Sequence, residues 1–140
     1  MDLKIKKLNE NAKIPSFAHH NDAGMDLFCS EGITIEKDQR VQISTGIALE
    51  LPDGYVGLVW DKSGLSHNFG LKIVGGVIDA GYRGEIKIGI INLGDSPHTF
   101  NTGDKITQLL IQRVEHPEIV EVEELGEADR GDKGFGSTGK

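Results

Sequence analysis

Two carboxylates in this chain stand among apolar residues where a charge is costly. Asp79 closes the run Leu71 to Ile78, and Asp26 lies inside Ala23-Gly24-Met25-Asp26-Leu27-Phe28. β-branched neighbours on the N-terminal side of Asp79 imply a buried flank, so its charge needs a partner, a metal or a held water. That makes Asp79 a candidate base. Turn chemistry is the alternative, because Asp at the end of a strand caps nearby backbone N–H groups. Asp26, just past a glycine, is a candidate holder of a hydrated magnesium ion. Tyr82 occupies a Gly-flanked tip, Ala80-Gly81-Tyr82-Arg83-Gly84. Its ring can stack under a flat or sugar-like ligand, or lie on its own hairpin.

A second set of residues suits phosphate. Asp61-Lys62-Ser63-Gly64-Leu65-Ser66 puts a cation, a hydroxyl and a glycine in succession, which grips an anion through side chain and backbone together. The competing reading is a short helix capped by Asp61. Gln108 adds a neutral donor and acceptor to the apolar run Ile106 to Val114. Near the C-terminus, Arg130 supplies a guanidinium for phosphate and Phe135 an aromatic face for a base. Gly134 to Gly139 matches GxGxxG, and Gly134 to Lys140 most of a Walker A string. Both strings require a strand before and a helix after. Here this sequence ends where the helix would follow, so a Rossmann or P-loop fold is not expected, although glycine amides and two hydroxyls can still wrap an anion. Arg130-Gly131-Asp132 is read as a chance match to an adhesion tripeptide.

Composition bounds the remaining choices. A chain of 140 residues and 15.2 kDa fits one domain with its own core. A formal charge of −7 argues against sequence-independent nucleic-acid binding, which depends on Lys and Arg neutralising phosphates. No apolar run reaches the ~18 residues of a membrane span, and MDLKIKKLNE has no apolar signal core; no membrane contact and a cytoplasmic location are expected. Cys29 has no disulfide partner, and the five histidines lack metal-ligand spacing, with His19-His20 in a polar loop. The 19 glycines imply repeated tight turns or close approach to a ligand.

The elements that must hold these residues read as short strands between turns. Strands are expected from Leu3 to Leu8, Ile33 to Ile35, Val41 to Leu51, Tyr55 to Trp60, Ile106 to Val114 and Glu118 to Glu124. Leu71 to Ile78 and Ile86 to Leu93 form the two arms of a β-hairpin. Pro52-Asp53-Gly54, Gly94-Asp95-Ser96-Pro97 and Asn101-Thr102-Gly103-Asp104 are turns. A helical reading of Ile106, Leu109, Leu110 and Arg113 gives way to a strand, because the run is short and contains β-branched residues. An all-β barrel or sandwich follows, at residues 1–125, with a polar, Gly-rich arm at 126–140 that is mobile when empty.

Five constellations together resemble the trimeric dUTP pyrophosphatases, the dUTPases, over nearly the whole chain. They are Ala23 to Leu27, Lys62 to Leu65, Gly76 to Gly84, Gly103 to Leu109 and Arg130 to Gly139; the third and fifth are the most specific. The resemblance implies a homotrimer of distorted jelly-roll subunits, with a flexible tail and active sites shared between chains. It implies hydrolysis of dUTP to dUMP and pyrophosphate with Mg2+ as cofactor, serving nucleotide-pool sanitation and dUMP supply for thymidylate synthesis. Asp79 would activate the water that attacks the α-phosphorus. Tyr82 would lie against deoxyribose, the backbone of Gly76, Val77 and Ile78 would read uracil, and the main chain of Lys87 would close that pocket. Lys62, Ser63 and Gly64 would hold phosphates, while Asp26 and Gln108 would hold the metal through water only. Arg130, Ser137, Thr138 and Gly139 would clamp the β/γ end as Phe135 stacks over uracil, with Gly136 also contacting substrate.

Two positions depart from the family pattern: Lys62 where Arg is usual, and Lys133 where Gly is frequent. A point charge is not a bidentate fork. The nearest rival is a dCTP deaminase, which carries a glutamate at the position of Gly89 here and would leave only Glu85 at hand. A non-catalytic β-module is the other alternative; it would need the tail and base pocket but not Asp79 with Asp26 and Gln108.

Overall fold

In the computed structural model, residues 1–136 and 138–139 are described. Ten strands and one short helix follow in order: β1 (Lys4–Lys7), β2 (Met25–Phe28), β3 (Ile33–Ile35), β4 (Arg40–Glu50), β5 (Tyr55–Trp60), α1 (Ser63–Phe69), β6 (Leu71–Val74), β7 (Val77–Ile78), β8 (Glu85–Asn92), β9 (His98–Phe100) and β10 (Lys105–Arg113). One sheet has the order β1-β4-β8-β6, the other β2-β10-β5-β7, and β3-β9 forms a separate ribbon. Every pairing is antiparallel. The all-β fold with jelly-roll character agrees with the expectation. Among the described residues, no helix is long and apolar enough to cross a membrane.

Alternation builds the core. In β8, Ile86, Ile88 and Ile90 point inward while Glu85, Lys87 and Gly89 face out. They meet Leu27 of β2, Ile43 and Ile47 of β4, and Ile106 and Leu109 of β10 in one buried cluster. Val59 of β5 and Ile78 of β7 complete its edge. Buried Asn92 ends β8 with its hydrogen bonds satisfied, donating to Ile35 and Ser96 carbonyls and accepting from Gly94 N–H.

The central hairpin is present but split. β6 pairs with β8 from Leu71↔Asn92 to Val74↔Gly89, and there the ladder stops. Gly75 (φ 78°) and Gly76 (φ 126°) then carry the chain across to the other sheet, where Val77 and Ile78 pair with Leu58 and Gly57 of β5. Periodicity alone reads Leu71 to Ile78 as one arm, because it does not say which sheet a residue joins. Gly76 is required twice, by its φ and because a Cβ there would lie 2.8 Å from the Val59 carbonyl oxygen.

Two further expectations are corrected, and one strand has no counterpart among them. Glu118 to Glu124 forms no strand; the chain is exposed beyond Ile111, and Val114 N–H to Gly54 O is its last backbone bond to the body. The sheets end at β1, β6, β2 and β7, and this segment pairs with none of those edges. A helix does follow Asp61, but its N-cap is Lys62 without a side-chain bond. The Asp61 carboxylate instead accepts the Ile73 N–H and pairs with Lys72 on β6. Strand β9 lacks a sequence signal of its own length and emerges only by pairing with β3.

Gly76→Ala is expected to lower stability by about 1–3 kcal/mol, the usual cost of a strained backbone position. Gly81→Ala, which meets nothing within 4 Å, should fall within about 0.5 kcal/mol of the parent. Denaturant unfolding of the two variants at equal protein concentration checks this pair, and equal losses would contradict it.

Candidate active site

Where β6 and β7 part, a cleft of about 600 Å³ opens between Val59, Gly76 to Asp79, Tyr82 and the Glu85 to Lys87 segment, with Gln42 at its side. Its walls are main chain, and their hydrogen-bonding directions follow from the ladders. Val59 N–H donates to the Gly76 carbonyl at 2.8 Å, so in an antiparallel pair the next residue, Val77, turns its N–H and C=O away from β5. On the opposite wall, Leu93 N–H donates to Gly70 O and Asn92 N–H to Gln39 O. Alternation from those bonds directs the even-numbered residues of β8 toward β4 and the odd-numbered ones toward β6. Lys87, beyond the last paired residue Gly89, therefore presents its N–H and C=O where a strand is missing. Two peptide edges thus face a gap that a flat polar ligand can bridge.

Tyr82 and Asp79 stand at the tip of this cleft. The Tyr82 hydroxyl donates to the Glu85 carbonyl at 3.0 Å, and the ring lies across Gly84, where a Cβ would come within 2.3 Å of the hydroxyl oxygen. Tyr82 thus rests on its own hairpin and lines the cleft as well. Ile78 is buried, but Val77 is 71% exposed and Asp79 itself is exposed. The expected buried flank of Asp79 is present only at Ile78, because β7 is a two-residue edge strand with a covering neighbour on one side only.

A second cleft, of about 240 Å³, gathers Ala18, Asp22 to Gly24, Asp26, Lys62, Ser63, Gly64 and Gln108. Here β2 and β10 set Asp26 directly across from Gln108. Asp26 is 3% exposed and pairs with Lys62 through one oxygen. Its other oxygen lies 2.7 Å from Lys105 Nζ, in a contact without hydrogen-bond angles. Burial pushes the Asp26 carboxyl up, but the Lys105 and Lys62 ammonium groups together hold it below its ordinary value. Gln108 donates from Nε2 to Asp61 O at 2.8 Å, and its Oε1 packs on Gly24, which has no room for a side chain. Ser63 and Gly64 begin α1 with no side chain capping their amides. The set suits an anionic chain: ammonium groups, a hydroxyl and free peptide donors.

The two clefts share no lining residue. The arm joins neither: Arg130 donates Nε–H to Lys133 O at 2.6 Å, Phe135 is fully exposed at φ 44°, and Gly136 and Thr138 are exposed. Ser137 lies outside the described residues. Sequence reasoning gave no role to Lys105 or to Glu85, whose carboxylate accepts the Gly46 N–H at 3.0 Å. A buried aspartate with two oxygens calls for two donors, which was a usable signal for Lys105; the partner of Glu85 is 39 residues away and left none.

Among the described residues, no three His, Cys, Asp or Glu side chains converge to hold a metal. One buried carboxylate with an amide opposite fits a hydrated ion delivered by its ligand, since Mg2+ commonly keeps several waters and binds through few carboxylates.

A slot edged by peptide groups at one corner and a cleft offering Lys62, the Ser63 hydroxyl and uncapped helix amides at another define an all-β protein suited to a flat ligand carrying an anionic chain. The chain belongs to the dUTPase family, whose model matches residues 10–139. It is 48% identical over 145 residues to the deoxyuridine 5'-triphosphate nucleotidohydrolase of Mycolicibacterium gilvum, covering 98% of this chain and 94% of that protein. The Corynebacterium glutamicum protein of the same name is 48% identical, at 99% and 95% coverage. Among solved structures, the dUTPase of Staphylococcus bacteriophage 80alpha with dUPNHPP superposes with a TM-score of 0.94 at 34% identity, covering 99% of each chain. A variant dUTPase from phage phi11 of S. aureus, described with a structural Mg(II) ion, gives 0.83 at 34% identity, covering 89% and 98%.

Because the Asp26 carboxyl is depressed in the folded state, its stabilising contribution is present above the unfolded-state value and is lost as pH falls through the folded one. Asp26→Asn should therefore cost about 2 kcal/mol at neutral pH, the scale of a hydrogen bond to a charged group. The gap to the parent should close in acid; a difference that persists undiminished under acid denaturation contradicts the ion-pair account.

Proposed function

We propose that this dUTPase-family chain hydrolyses dUTP to dUMP and pyrophosphate, with Asp79 activating the water that attacks the α-phosphorus. The observation that carries the reading is the interrupted ladder: Val77 and Lys87 turn unpaired peptide groups toward one gap, with Tyr82 and Asp79 at its end. Uracil seated there completes the missing strand against the peptide groups of Val77 and Lys87, with Gly76 and Ile78 framing the slot on either side of Val77. Its deoxyribose then lies against Tyr82, which leaves no room for a 2′-hydroxyl, and the α-phosphate comes within reach of Asp79. General-base assistance of this kind is worth about 10²–10⁴ in rate.

The separation of the two clefts supports a homotrimer with active sites shared between subunits. Lys62, Ser63 and Gly64 of one subunit hold phosphates of a nucleotide whose base sits in the Asp79 cleft of another. Asp26 and Gln108 meet waters of a magnesium ion, which neutralises phosphate charge and orients the chain for attack. Residues 126–140 form an arm that closes the site: Arg130, Gly136, Ser137 and Thr138 on the β/γ end, Phe135 over uracil. Exposed Ile119, Val120, Val122 and Leu125 favour a course along a neighbouring subunit, since a contiguous apolar strip needs cover. The expected physiological role is nucleotide-pool sanitation and dUMP supply, in the cytoplasm.

Deamination of dCTP fits less well. A Cβ at Gly89 would lie 2.8 Å from the Val74 carbonyl, so no acid or base fits there, and the Glu85 carboxylate is engaged by Gly46 N–H. Ammonia release from dCTP would overturn this choice.

Asp79→Asn is expected to bind dUpNHpp as the parent does while pyrophosphate release from dUTP falls about 10²–10⁴-fold; undiminished turnover removes the mechanism. Deleting residues 131–140 should leave a folded trimer by light scattering with kcat reduced about 100-fold, the effect of losing alignment rather than fold. Full activity in that truncation would make the arm dispensable.

A further inference from the structure

We infer that Glu85 is a positioning residue for Tyr82 and thereby governs the rejection of ribonucleotides. Tyr82 is 48% exposed, so packing alone does not fix its ring. Two features do: the Gly84 seat beneath it, and the bond from its hydroxyl to the Glu85 carbonyl. That carbonyl points in a set direction only if the Glu85 peptide is itself held.

The β4–β8 ladder pairs Glu85 with Ala48, and the Glu85 side chain adds a second hold on the same segment. Oε1 accepts the Gly46 N–H at 3.0 Å, a charge-assisted bond to a bulge in β4, where the register shifts between Ser44 and Ala48. The bulge is immobilised from its far side. Gly46 (φ 68°) sends its carbonyl to Leu8 N–H at 2.7 Å, and a Cβ on it would meet Asn9 Nδ2 at 2.6 Å and Ala12 at 2.9 Å. One residue away, the Thr45 hydroxyl donates to Ile86 O at 2.6 Å, so the same two segments are tied side by side. A chain of contacts thus runs from the N-terminal segment through the β4 bulge and Glu85 to the Tyr82 ring. Small displacements of that ring matter, since a 2′-hydroxyl is only one heavy atom larger than hydrogen.

The inference rests on the reading of Tyr82 as the sugar-facing ring, and the test separates the two. The readout is the ratio of kcat/KM for dUTP to that for UTP, with thermal midpoints recorded alongside. Glu85→Gln retains an acceptor for Gly46 N–H and should keep the ratio within about twofold of the parent, whereas Glu85→Ala should lower it about tenfold or more. Tyr82→Phe removes the other half of the clasp and should lower the ratio likewise, with no further loss in the Glu85→Ala/Tyr82→Phe double variant, as coupled residues behave. If Glu85→Ala and Tyr82→Phe leave the ratio unchanged while Tyr82→Ala collapses it, Glu85 has no positioning role and the sugar-facing reading stands. If Tyr82→Ala also leaves the ratio unchanged, that reading itself fails.

Discussion

Hydrogen bonding between β6 and β8 ends at Val74 and Gly89, and the chemistry of the corner follows from that interruption. Had the hairpin continued, the peptide groups of Lys87 would be satisfied by the opposite arm and no slot would exist. Gly75 and Gly76, both with φ in the region that favours glycine, let the chain leave one sheet and join the other within two residues. Antiparallel geometry does the rest, because it alternates the direction of each peptide and so turns Val77 and Lys87 toward the same gap. On the proposed reading, a flat polar base is selected there by peptide groups and needs no dedicated side chain.

Electrostatics divides the labour differently at the other cleft. There Asp26 is buried and tolerable only because Lys62 and Lys105 neutralise it. An aspartate so paired anchors Lys62 beside the helix start at Ser63 and Gly64, with Lys105 on its other oxygen. Lys62 serves both the ion pair and the cleft lining, so the Lys in place of the family's usual Arg retains charge while giving up a planar fork.

Much of the fold is legible in the sequence because alternating Val and Ile residues report their own burial. Tyr55–Trp60 and Ile33–Ile35 fall on the expected residues, and Arg40–Glu50 and Lys105–Arg113 within one of them. What alternation cannot report is the partner. Leu71 to Ile78 looks like one strand but serves two sheets, and Ile119-Val120-Glu121-Val122 alternates yet joins none of the sheet edges at β1, β2, β6 or β7. Asp61 follows the local rule for a helix cap, yet the Ile73 N–H, distant in sequence, claims its carboxylate. At the site, the chemistry-bearing residues announce themselves through type and glycine context, whereas Lys105 and Glu85 act through contacts that only the fold creates.

We propose that the Asp79 cleft of one subunit and the Lys62 cleft of another serve one nucleotide. Co-expression of two inactive chains tests it most directly, one carrying Asp79→Asn and the other Lys62→Ala with Ser63→Ala. The account predicts that mixed trimers recover dUTP hydrolysis, because some sites then combine an intact Asp79 from one chain with an intact phosphate cleft from the other. Mixed assemblies as inactive as either parent would contradict it, since each site would then lie within a single chain.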